Sequence, residues 1–167
     1  SGLQDQSVLY IADSLDSEAR VLIDPNTFSD DGTRALSGTS SSNSGRYLGY
    51  AISDGGSDWD TWYIHDIETG EDLGDVIEWS KFGGLTWAHD DSGFYYARYP
   101  QPENPLEAVN EFNQLYFHVL GTDQADDVLI YENPENPEEG FGAQISEDGQ
   151  WLFIYTSEGT GNQNRLY

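Results

Sequence analysis

The side chains of this 167-residue chain best suited to chemistry are three histidines and 31 carboxylates. His65 and His118 each follow a tyrosine by two residues, in "WYIHD" and "LYFHV", and His89 lies in "WAHDDSG". A zinc site would call for H-E-x-x-H or for cysteines. The first does not occur and cysteine is absent, which also excludes disulfides and thiolate catalysis. His65 and His118 sit in equivalent phrases, so they are expected on equivalent strands, too far apart to share a metal and satisfied by neighbours. His89 is expected to stabilise the turn beside it. The Asp-rich stretches "DSLDSE", "SDDG", "HDDSG" and "SEDG" lack the spacing of an EF-hand calcium loop with its later glutamate. Asp before Gly makes β-turns without metal. Carboxylates are too numerous for any pair to stand out as acid and base. No G-x-S-x-G nucleophile elbow occurs. No catalytic residue, cofactor or metal is therefore expected in this chain.

Charge narrows the partners further. Against 31 acidic residues stand 6 basic ones, a formal charge of −25, and Lys81 is the single lysine. Nucleic acid is not an expected partner, because phosphate contacts need Lys and Arg. The acidity runs through loops along the whole chain. It reads as a solvated, self-repelling surface of a salt-adapted (halophilic) protein, where screening relieves repulsion. The competing reading is a field that attracts basic peptides or cations. No apolar run of 18 residues exists, so no membrane span is expected, and no signal-peptide pattern is visible. With 5 Trp, 11 Tyr and 7 Phe the chain can build a packed core, unlike a disordered acidic tail.

The elements that position these residues show themselves as a repeat. Tyr10, Tyr63, Tyr116 and Tyr167 lie in similar phrases, 53, 53 and 51 residues apart. Turns at "NSGRYLGY", "DSGFYY" and "EDGQWLFI" place glycines at 45, 93 and 149, about 18 to 23 residues before the next tyrosine. Within residues 35–78, "ALSGTSSS", "RYLGYAIS", "WDTWYIHDI" and "VIEW" read as four short strands separated by turn residues. No helical period is sustained, and "PLEAVNEF" (105–112) is the one helix-like phrase, a turn or two inside a loop. Four strands per unit of about 50 residues is the pattern of a propeller blade. The expected fold is all-β, a partial β-propeller of four-stranded antiparallel blades. Residues 8–24 form the end of one blade, 34–79 and 84–131 two full blades, and 141–167 the start of another, with the third strand just begun. A ring needs about four to eight blades, so the chain is expected to be a piece of a larger propeller. Its incomplete blades should leave strand edges able to pair with a second copy or with the rest of a parent chain. Trp59, Trp62, Tyr63, Trp87, Tyr116 and Trp151 are expected to fill the space between blades.

Several phrases resemble the prolyl oligopeptidase family: 6–38 from "QSVLYIADS" to "RALSG", "SDGGSDW" (53–59), "KFGGLTWAHDDSGFYYARYP" (81–100), "QLYFHVLGTDQADDVLIYENP" (114–134) and "GAQISEDGQWLFI" (142–154). Single motifs such as S-x-D-G are common among propellers, but the ordered series is specific and covers essentially the whole chain. The resemblance implies a seven-bladed propeller capping an α/β-hydrolase domain that cleaves short peptides after proline, in a cytoplasmic or periplasmic protein. It places the Ser, Asp and His triad outside this stretch, so the chain would gate and line the peptide cavity without performing the chemistry. It also implies that Phe82, following Lys81, faces that cavity and contacts substrate, with Trp87 matching too; Gly83 and Gly84 depart from the family's bulkier residues. The alternative is a propeller used as a binding or scaffold module with no peptidase domain.

Overall fold

The computed structural model describes residues 6–159 and 164–166. These form four antiparallel sheets in chain order. The first pairs β1 (Leu9–Ile11) with β2 (Arg20–Ile23). The second runs β3 (Arg34–Ser41), β4 (Tyr47–Asp54), β5 (Asp60–Asp66) and β6 (Glu71–Ser80). The third runs β7 (Thr86–Trp87), β8 (Gly93–Arg98), β9 (Gln114–Val119) and β10 (Val128–Glu132). The fourth holds β11 (Glu139–Ile145), β12 (Leu152–Glu158) and β13 (Asn164–Leu166). Each sheet is a meander in which sequential strands are neighbours. This is the all-β, partial-propeller fold expected from the sequence.

The repeat has a structural meaning. Tyr10 pairs with Val21, Tyr63 with Val76 and Tyr116 with Leu129, each on the strand before the outermost one. The fourth repeat tyrosine, Tyr167, lies outside the described residues. The turns carry a correction. Gly45, Asp91 and Gly149 each donate their amide to the residue three back, Ser42, Ala88 and Ser146. All three take positive φ, at 74°, 56° and 71°. The equivalent of Gly45 is therefore Asp91 and not Gly93. Gly93 opens β8, in the place of Tyr47, and serves close approach: a Cβ there would stand 2.0 Å from the His118 carbonyl oxygen.

The strands read as pleated and buried on alternate residues where one face is covered. In β6, Asp75 and Ile77 are buried while Val76 and Glu78 are exposed. Two clusters make the core, at the first two of the three sheet-to-sheet joints. Ile23, Leu48, Tyr50 and Ile52 pack with Leu9 and Leu22 between the first two sheets. Trp62, Ile64, Ile77, Leu85, Trp87, Phe94 and Tyr96 fill the second joint. The innermost strands are also cross-linked. The Ser40 hydroxyl donates to Leu85 O at 2.9 Å, the Trp87 indole to Ser40 O at 3.2 Å, and the Thr86 hydroxyl to Ala143 O at 2.8 Å.

One local expectation is narrowed and one differs. The phrase 105–112 makes a single turn and no helix, with Glu107 N–H donating to Asn104 O. The short 3₁₀ turns lie instead at Pro25–Thr27, where the Asp24 carboxylate accepts from Asn26 N–H and Pro takes the first position, and at Gln124–Asp126. Trp151 does not fill an inter-blade space. It is 65% exposed, since it follows the turn into β12 and nothing described covers it there.

Candidate functional site

β6 ends at Ser80, whose hydroxyl donates to Ala97 O, and the chain crosses to β7 through Lys81-Phe82-Gly83-Gly84-Leu85. This crossing is strained. Trp79 (φ 64°), Phe82 (φ 56°) and, on the facing loop, Phe112 (φ 60°) occupy the left-handed region. Bulky residues there cost on the order of 1–3 kcal/mol each and persist where surrounding structure fixes them.

The anchor is Lys81. It is buried, with Nζ 3.0 Å from Asn110 Oδ1 and 4.0 Å from the centre of the Trp59 ring. A desolvated cation over an indole face is worth about 2 kcal/mol. Trp59 in turn donates its indole N–H to Pro105 O and meets Trp79 and Tyr99 edge-on. The one lysine of the chain thus ties the β6–β7 crossing to the loop between β8 and β9. Its neighbour Phe82 is 71% exposed.

Phe82 stands at a cavity of about 440 Å³, lined also by Lys81, Tyr99, Asn113, Gly140 and Phe141. Asn113 is buried and stitches the floor: its Oδ1 accepts from Phe141 N–H at 2.9 Å, and its amide donates to Arg98 O. Glu139 beside it is buried and accepts from Asn133 Nδ2. The recess offers aromatic faces and fixed amides, a surface suited to an apolar or ring-bearing side chain. Among its described lining residues, no nucleophile is hydrogen-bonded to a base. Among the described residues, no group of three or more His, Cys, Asp or Glu is placed to hold a metal.

The chain as a whole matches the model of the prolyl oligopeptidase N-terminal β-propeller domain over residues 1–167. It belongs to the prolyl oligopeptidase family. It is 38% identical over 168 residues to the prolyl endopeptidase of Elizabethkingia meningoseptica, covering 99% of this chain and 23% of that protein. It is 33% identical over 193 residues to prolyl oligopeptidase A of Amanita bisporigera, covering all of this chain and 25% of that one. A solved structure of prolyl oligopeptidase B from Galerina marginata, bound to a 35mer hydrolysis and macrocyclization substrate, superposes with a TM-score of 0.88 at 30% identity, over 99% of this chain and 26% of that one. The chain thus spans about a quarter of the length of the prolyl oligopeptidases it matches.

The histidines lie away from this site. His65 Nδ1 is 2.8 Å from Asp72 Oδ1, and Tyr50 O–H donates to the other oxygen of Asp72. In the next sheet His118 Nδ1 is 2.7 Å from Asp127 Oδ1, and Tyr96 O–H donates to Asp127 Oδ2. His118 Nε2 also reaches Asp75 Oδ1 on β6 of the preceding sheet, at 2.9 Å. His89 packs against Gly149, where a Cβ would come within 2.6 Å of its ring. Sequence reasoning missed Asp72, Asp75, Asp127, Tyr50 and Tyr96. The order Tyr, His, Asp in two successive units was the available signal. Three of the four Asp-rich turns are closed by their own carboxylates: Asp31 accepts from Thr33 N–H, Asp90 from Ser92 N–H and Asp148 from Gln150 N–H, while Ser14 and Ser17 bond to each other in the first. The hydroxyls of Thr33, Ser92 and Ser146 also donate to Asp31, Asp90 and Asp148, and these bonds first, then the amides, hold the three exposed carboxyls below the usual range.

Proposed function

We propose that this chain is the substrate-facing part of the propeller of a longer, prolyl oligopeptidase-like serine peptidase, where it restricts access to the active site and forms one wall of the peptide cavity. In this reading Phe82 contacts the bound peptide and Lys81 fixes the crossing that presents it. The four sheets are successive blades of one ring: 8–24 ends a blade, 34–79 and 84–131 are whole, and 141–167 begins another. The catalytic Ser, Asp and His belong to an α/β-hydrolase domain of the same parent chain.

The observation that carries this reading is Phe82, 71% exposed and held at φ 56° beside a cavity. Strained backbone costs stability, and strained residues gather at ligand sites. The buried Lys81 on its neighbour supplies the rigid support that such a presentation needs. Membership of the family and the peptide-bound relative point the same way.

The test is a titration of the isotope-labelled chain with a short proline-containing peptide. Shifts centred on Phe82, Gly140 and Phe141, weakened about tenfold by Phe82→Ala, are expected. Shifts confined to another face would overturn the assignment. The chain alone is expected not to cleave a proline-containing chromogenic peptide; turnover blocked by a serine-directed inhibitor would contradict that. A parent without G-x-S-x-G followed by Asp and His would instead make the chain part of a binding propeller.

A further inference from the structure

We propose that His118 is a doubly protonated imidazolium held between Asp75 and Asp127, forming a catch that joins two neighbouring sheets and releases in alkaline solution. The argument begins with donors and acceptors. A neutral imidazole has one N–H and one bare nitrogen, so it can donate to one carboxylate only. Both nitrogens of His118 face carboxylate oxygens, at 2.7 and 2.9 Å. A bare nitrogen against an ionised carboxylate sets two lone pairs face to face in a site with no exposure. With both carboxylates ionised, as the lowered Asp75 carboxyl is at neutral pH, only the cation satisfies both contacts.

The surroundings leave no substitute for this charge. From β6 comes Asp75, buried, whose Oδ1 also accepts from Gly121 N–H and whose Oδ2 has no hydrogen-bond partner. From the turn before β10 comes Asp127, and from β8 come Tyr96, bonded to Asp127, and Phe94, its ring 5.0 Å from the imidazole. Gln124 contributes a neutral amide to Tyr96, and Arg98 on β8 lies over the Tyr116 ring. Among the described residues, no Lys or Arg pairs with Asp75 or Asp127. His118–Asp75 is also the one ion pair among them that links two sheets. In the first sheet Arg20 takes the register position of Asp75 and donates to Ile67 O, so the catch belongs to one joint alone.

The electrostatics agree. Burial by itself would depress the imidazole, but the bonds to Asp127 and Asp75 more than offset it and raise it to about 9. Burial pushes Asp75 up, and His118 with the Gly121 amide brings it below the usual carboxylate value. A raised histidine stabilises fully below its unfolded value of about 6.5, and that contribution is lost as pH climbs through about 9. A depressed Asp75 stabilises above about 4 and loses that contribution as pH falls through its folded value. The catch therefore has an acid limb set by Asp75 and an alkaline limb set by His118.

The experiment is proton-detected ¹⁵N spectroscopy of the imidazole nitrogens in the full chain from neutral to alkaline pH. Two protonated nitrogens on His118 at neutral pH, losing one proton with a midpoint near 9, are expected. A neutral tautomer at neutral pH, or a midpoint near the free value of about 6.5, would overturn the proposal. Asp75→Asn should lower that midpoint by at least about one unit, a tenfold loss of proton affinity. An unmoved midpoint would refute the link between sheets. The wild-type chain gives a third readout should the variant not fold. Protection of the Gly121 amide should fall about tenfold or more as His118 deprotonates, and constant protection would count against the catch.

Discussion

On the proposed function, Phe82 concentrates the conflict between stability and recognition into one residue. Its φ of 56° suits glycine, and its ring is mostly in water. Phe82→Gly should therefore raise stability by about 1 kcal/mol, read as a higher denaturant midpoint. The same change should abolish the peptide-induced shifts proposed above. A Phe82→Gly chain that is less stable would mean that the ring packs in solution. Gly93 is the opposite case. A Cβ there would meet the His118 carbonyl oxygen at 2.0 Å, so β8 and β9 would have to separate. Gly93→Ala should cost about 3 kcal/mol or more by urea unfolding. Ordinary behaviour in that variant would mean that the two strands are not in this register.

At the scale of elements, the turns on one face brace one another across sheets. The Asp91 carboxylate accepts from Asn43 N–H at 2.8 Å and Ser44 N–H at 2.9 Å, and Asn43 donates to Ala88 O. Asp91→Ala should cost about 1–3 kcal/mol at neutral pH. Burial raises the Asp91 carboxyl, but its bonds to Ser44 and Asn43 lower it overall, so this stabilisation should fade as pH falls below about 4. The check is a pair of melting series against pH, in which wild type and variant converge in acid. Strand positions were legible in the sequence because aromatic and aliphatic residues mark them between turn residues, and the spacing of Tyr10, Tyr63 and Tyr116 fixed equivalent strands. The turn register was not. From sequence, glycine reads as the marker of the left-handed position, whereas Asp91 fills it in the third sheet and Gly93 answers a close approach two residues on. The site was legible only in part. A family resemblance singles out the Lys81–Phe82 pair, while Trp59, Asn110 and Asn113 gather there from far along the chain. The His118 partners stayed hidden for the same reason: Asp75 precedes it by 43 residues and sits in a different sheet.

The whole molecule carries a charge of −25 with a single lysine. Lys81 is buried and already paired, which leaves a few arginines to offset a large acidic surface. The melting midpoint should therefore rise steeply over the first few tenths molar NaCl, where screening acts, and more gently toward molar salt. A neutral osmolyte run in parallel separates this from strengthened apolar burial, which salt also brings. A flat or falling midpoint would contradict salt adaptation. The joints between sheets bear on something else, the way such a chain can change over time. At the innermost strands a side chain on one sheet holds a main-chain oxygen on the next: Ser40 holds Leu85, Trp87 holds Ser40, and Thr86 holds Ala143. A main-chain oxygen is present whatever residue carries it, so the receiving position is free to mutate without a matching change in its partner. Drift in one repeat then need not be answered in its neighbour, and units that share only a tyrosine, a turn and a few aromatics can still stack.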